Sequence, residues 1–207
     1  DVSQTEGKEI DIAKIGGWDT IKNYSKNVDE LYLKLKSFLQ KLGLKVNEIK
    51  GPASINTNAT GTYFQRTNII NIYMVDKQPT AAKVETLLHE LGHAIMHSGR
   101  DGQELERDTA EMQAQTFAFL LCKFFDIDNL EYTKLYVSTW AMDKQAENIY
   151  SDLRYVVDYV MLFIKLFKQF SDGNLTLHYD DIVNFKKQSV ESEDKLTDET
   201  KEEIKTL

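Results

Sequence analysis

Residues 89–93 read His-Glu-Leu-Gly-His, and this HExxH spacing constrains the chain more than any other feature. Two imidazoles four positions apart on a helix lie about 40° apart in azimuth, one turn above the other, so both can bind one ion. Glu90 leans off that face and can reach water at the ion's open position. These residue types at this spacing make up the zinc-peptidase motif, with the glutamate as general base. The surroundings are helical. Ala81, Val84, Leu87, Leu88, Leu91, Ala94 and Ile95 recur as a buried stripe. Thr80, after Pro79, is the expected N-cap, and Ser98-Gly99 the stop. Gly92 weakens a helix by about 1 kcal/mol relative to Ala, which points to a close backbone approach there. A surface helix whose histidines merely fit the spacing would leave Gly92 unexplained.

A mononuclear site needs a third protein ligand. Residues 102–125 read as a second helix, with Ala110, Ala114, Phe117, Ala118, Leu121 and Phe125 as its apolar stripe. Glu111 sits on the flank of that stripe, where an unpartnered carboxylate would be costly to bury and a metal would remove the penalty. Glu111 is therefore the first choice, with Asp108 and Glu104 as alternatives and Glu106 on the solvated side. Asp108 is also a candidate to orient one of the histidines, as metal-bound imidazoles require. The small Ala110, Ala114 and Ala118 would let the two helices approach closely.

Residues 87–97 (LLHELGHAIMH), 104–122 (ELERDTAEMQAQTFAFLLC) and 130–141 (LEYTKLYVSTWA) together resemble the ImmA/IrrE family of zinc peptidases. Within it they are most similar to the zincin domains of ArdC- and LtrC-type proteins of mobile elements. The resemblance spans roughly residues 84–164. It implies His89 and His93 as ligands, Glu90 as base and Glu111 as third ligand. Gln115 departs from the pattern, since relatives often carry a second acid there. The N-terminal part does not resemble the single-strand-binding domain of ArdC.

Along the chain, residues 1–17 read as poorly ordered, 18–188 as the zincin-like domain and 189–207 as an acidic, frayed or disordered tail. Within the domain, 18–42 reads as a helix stopped by Gly43, 44–49 as a strand, and 61–66 with 69–75 as a hairpin. Helices are expected at 130–141, 145–170 and 179–187, with a short extended piece at 175–177. The expected fold is α+β: a minimal zincin with a small antiparallel or mixed sheet on the HExxH helix and a mainly helical C-terminal half. The strand at 69–75 would be the edge strand nearest the metal, open to a substrate peptide. Either Asn71 and Tyr73 or their neighbours would face the cleft.

One Zn²⁺ per chain is expected, with Mn²⁺ or Fe²⁺ as substitutes. Tyr63, Tyr73, His97, Tyr132 and Tyr136 are candidate donors to an oxyanion. His97, one turn beyond His93, reads as a supporting or surface residue rather than a ligand. Tyr132, Tyr136 and Trp140 form an aromatic stripe best explained by core packing, and nothing marks His178. Cys122, the single cysteine, lies in the apolar end of the second helix as a small buried hydrophobe.

Three functions compete: a metallopeptidase acting on a regulatory protein such as a repressor, a metal-stabilised binding or anti-restriction protein, and a nucleic-acid-binding protein. The net charge of −8 and the absence of a basic run disfavour the third. An intact Glu90 disfavours the second, because a structural metal site has no use for a base. The expected partner is a protein or peptide substrate. No secretory signal or membrane span is read, so a cytoplasmic location is expected; the oligomeric state is not legible.

Overall fold

The computed structural model describes residues 20–51, 59–98, 106–134 and 146–177, together with Tyr179 and Ile182. Helix α1 (Val28–Leu42) is preceded by a two-residue strand β1 (Lys22–Asn23) and begins at the first residue of its apolar face, not at residue 18 as expected. Asn27 decides the start: its side chain accepts from the Glu30 N–H, and its amide donates to the Glu30 carboxylate. The expected stop holds, with Gly43 at φ 97° and its N–H on the carbonyls of Gln40 and Leu39.

Strands β2 (Lys45–Lys50), β3 (Gly61–Phe64) and β4 (Ile69–Met74) make one mixed sheet in the order β2-β4-β3. The β3–β4 hairpin is antiparallel, turning through Asn68 in the left-handed region, which asparagine tolerates. Strand β2 runs parallel to β4. This corrects one expectation: β4 is the central strand, and β2 and β3 are the edges, with β3 the one beside Glu90. Fully buried Ile70 and Ile72 are why β4 belongs in the middle. Asn71 and Tyr73 lie on the opposite face, bonded to Asn47 Nδ2 (3.1 Å) and Thr62 Oγ1 (3.1 Å) respectively.

Helix α2 (Thr80–Gly92) carries His89 and Glu90 and continues as one wider π turn, His93–His97, which begins with the second histidine of the motif. Pro79, not Thr80, occupies the N-cap, and no side chain caps this end. The Pro79 carbonyl accepts from the N–H groups of Ala82 and Lys83, so Thr80 falls inside the helix. Helix α3 (Arg107–Phe124) packs along α2, and a short strand β5 (Ile127–Asp128) pairs with β1. At Gly92 the two helices are in close approach. A Cβ on it would stand 3.1 Å from Ala114 Cα and 3.3 Å from the Phe117 ring.

Helix α4 (Ala146–Ser171) lies against α3 and closes the core. Phe38 of α1 meets Phe163 and Phe167 of α4 edge-on, with ring centroids 5.5 and 5.3 Å apart. Truncating such a buried ring costs about 3–5 kcal/mol, so α4 is integral to the fold. Cys122 is buried in this core. Residues 175–177 form no strand. No helix among the described residues is long and apolar enough to cross a membrane. The expectations for 1–17, 189–207, most of 179–187, Tyr136, Trp140 and His178 lie outside the described residues.

Candidate metal centre

Helix α2 and the π turn that continues it lay His89 and His93 on one face, one turn apart, and α3 brings Glu111 across from them. The two Nε2 atoms are 3.1 Å apart. Glu111 Oε2 is 3.4 Å from His89 Nε2 and 3.8 Å from His93 Nε2. Three donors tetrahedrally arranged at 2.0–2.1 Å around one ion would be separated by about 3.3 Å, so the spacing fits a shared cation. Among the described residues these three are the group able to hold one, their ligating atoms lying within 4.8 Å of one another.

The electrostatics agree with the spacing. Burial works against charging His89, but its hydrogen bond to Glu111 and the charges of Glu90, Glu85 and Glu111 prevail and raise its pKa to about 9. Glu111 is partly buried, which alone would raise it, yet its bonds to His89 and His93 hold it far below the ordinary carboxylate range. A field that attracts a proton so strongly is the field a divalent cation would occupy.

Glu90 is buried on the side of α2 that faces β3. Burial raises its pKa, while the nearby histidines and a hydrogen bond from the Tyr63 backbone N–H act in the opposite direction. The sheet register explains that bond. The Tyr73 N–H reaches the Thr60 carbonyl, so the backbone groups of Gly61 and Tyr63 point away from β4, towards the open edge. Glu90 therefore stands at the edge of the sheet, beside the candidate metal site.

The partners of the two imidazoles are not those expected. Asp108 is exposed at the start of α3. His89 Nδ1 instead meets Gln115 Oε1 at 3.0 Å, and Gln115 Nε2 donates to Glu85 (2.8 Å) and to Thr133 Oγ1 (3.3 Å). The position that departs from the family pattern thus still supports His89, through an amide. Glu85 is fully buried, and burial raises its pKa. Its signal in the sequence was an acid one turn before His89, inside the apolar stripe. His93 Nδ1 lies 3.0 Å from His97 Nδ1. The π turn aids this pairing, because a wider turn advances less per residue and offsets the helical drift between successive histidines.

The candidate oxyanion donors fare differently. Tyr73 spends its hydroxyl on Thr62, and Tyr63 bonds Tyr179 (2.8 Å) and Asn68 (3.2 Å). Tyr136 lies outside the described residues.

Residues 39–122, from the last turn of α1 to the last turn of α3, match the peptidase M78 model, described as the IrrE N-terminal-like domain. This part of the chain is similar to the IrrE N-terminal-like domain. The matched stretch contains His89, Glu90, His93 and Glu111 and ends at Cys122, so α4 lies beyond it. An uncharacterised protein of Bacillus anthracis is 23% identical over 151 residues, covering 70% of this chain. The chain spans 26% of that relative's length. No solved structure matches the chain.

Proposed function

We propose that this chain is a zinc-dependent metallopeptidase of the HExxH-plus-Glu type that hydrolyses peptide bonds of a specific protein target. A regulatory protein such as a repressor is the expected class of target. His89, His93 and Glu111 would hold one Zn²⁺, with Mn²⁺ or Fe²⁺ as substitutes. The bound cation would supply Lewis acidity, polarising a carbonyl and acidifying water. Glu90 accepts the proton of the attacking water and returns it to the leaving amine. A pKa raised by burial suits it to that exchange. The open edge of β3 would take the substrate as an added strand, which brings the scissile bond past Glu90.

The observation that carries this reading is the buried carboxylate of Glu90 beside the three-ligand cluster. A purely structural metal site has no need of a base held there. The net charge of −8 and the single buried cysteine support a cytoplasmic protein acting on another protein rather than on nucleic acid.

Glu90→Gln tests the proposal. Wild type and variant, each assayed for bound metal, are incubated with extracts of the host cell, and newly exposed protein N-termini are mapped. We expect equal metal content and target-specific new termini with wild type alone. A variant that yields the same termini, or that reproduces the full biological effect, would favour a binding protein over a peptidase.

A further inference from the structure

The Nδ1 atom of His93 opens a chain of side chains that leaves the stretch matched to the IrrE N-terminal-like domain altogether. His93 Nδ1 is 3.0 Å from His97 Nδ1, and His97 Nε2 is 3.0 Å from Gln113 Oε1. Gln113 Nε2 donates to Asp152 Oδ1 at 2.7 Å. The chain crosses from the π turn to α3 and ends on α4, beyond residue 122.

The direction of every bond follows from its last member. An ionised carboxylate only accepts, so Gln113 must turn its NH₂ towards Asp152 and its carbonyl oxygen towards His97. His97 Nε2 must then be the donor, and in the neutral ring this leaves Nδ1 as an acceptor. His93 Nδ1 must therefore carry the proton, and its Nε2 keeps a lone pair aimed at Glu111 and His89. The opposite tautomer of His93 would place a hydrogen where the metal belongs.

We propose that His97, Gln113 and Asp152 are positioning residues that fix the metal-binding tautomer and ring orientation of His93, and that α4 is thereby a working part of the metal centre. The inference rests on the metal-binding reading given above. It also gives the π turn a purpose: it holds His97 over His93 with ring centroids 5.1 Å apart. The turn is itself pinned by α4, since Tyr155 donates to the Met96 carbonyl at 2.9 Å.

The test measures zinc affinity of the full chain by competition with a chromophoric chelator. Histidine ¹H–¹⁵N spectra of the zinc-loaded protein are recorded alongside. Outer partners of metal-bound imidazoles are worth about 10–100-fold in affinity, and Gln113→Met and Asp152→Leu should fall near the lower end of that range. Asp152→Asn, which keeps an acceptor for Gln113, should retain wild-type affinity. The His93 Nδ1–H resonance should shift or vanish in the two breaking variants, while that of His89, held separately by Gln115, stays in place. Breaking variants that bind zinc like wild type with an unmoved His93 resonance would overturn the proposal. So would parallel changes at both histidines, which would mean general loosening. Wild type that fails to bind zinc would instead sink the metal-binding reading itself.

Discussion

Gly61 stands directly against Glu90: a Cβ at Gly61 would lie 2.7 Å from Glu90 Cγ and 2.8 Å from its Oε1, with Thr86 Cγ2 at 2.6 Å. No side chain fits there unless Glu90 and Thr86 move. Strand β3 thus sets the position of Glu90 twice, through this contact and through the Tyr63 N–H. Gly61→Ala should lower peptidase turnover by at least tenfold while leaving zinc content unchanged, because it displaces the base and touches no ligand. Overpacking of this kind costs about 1–3 kcal/mol of stability. Metal analysis beside turnover on the natural target separates the effects, and full activity in Gly61→Ala would refute the role given to this contact.

Gly92→Ala sets two effects against each other. Helix propensity alone favours alanine by about 1 kcal/mol. The added methyl, however, would meet backbone at Ala114 Cα, 3.1 Å away, and backbone yields less readily than the end of a flexible side chain. Overpacking at about 1–3 kcal/mol should win, so the variant is expected to melt lower and to bind zinc more weakly as α3 carries Glu111 away. A higher melting temperature would show that α2 and α3 can separate without strain.

The metal-free protein should lose stability as pH rises. His89, raised to about 9 when folded against 6.5 when unfolded, contributes stability that is complete below pH 6.5 and gone once pH passes about 9. Glu85 and Glu90, also raised, act in the same direction from their unfolded value near 4.5 upwards. Glu111 is depressed, so its contribution is present above 4.5 and lost as pH falls. With chelator present, melting temperature should therefore peak between about pH 4.5 and 6.5 and decline towards pH 9. Saturating zinc should reverse the slope, since ligands must shed protons to bind it. Identical pH profiles with and without zinc would count against a shared site.

Nucleic acid should not bind. With a net charge of −8, affinity for oligonucleotides is expected to be no tighter than the weak nonspecific limit of about 10⁻⁴ M at physiological salt. Fluorescence anisotropy with labelled single- and double-stranded oligonucleotides checks this. A salt-dependent rise at micromolar protein would show a basic surface that the overall charge conceals.

Some of this protein follows from local order alone. HExxH on an apolar stripe of period 3.6 defines helix α2 and places two imidazoles on one side of it, whatever else the chain does. The alternation of β-branched residues around Thr67-Asn68 defines the β3–β4 hairpin, and Gly43 ends α1. Glu111 was legible too, because a carboxylate flanking a buried stripe needs a partner. These are properties of neighbours within a few turns of chain.

What only the tertiary structure decided depends on partners far apart in sequence. Strand order is one case: β4 takes the centre with β2 and β3 on its two sides, and no local pattern decides which of the two lies beside Glu90. The neighbours of the histidines are another. Asp108 had the right chemistry and a plausible azimuth, but α3 packs so that Gln115 and Gln113, two amides with no local distinction, turn inward instead. Asp152 lies on a helix whose apolar face spoke only of core. Its place at the end of the His93 chain arises from the packing of α4 on α3, which is driven by Phe163, Phe167 and their neighbours. The hydrophobic pattern dictates which faces are buried, but which polar groups then meet depends on the angle and register at which those faces dock.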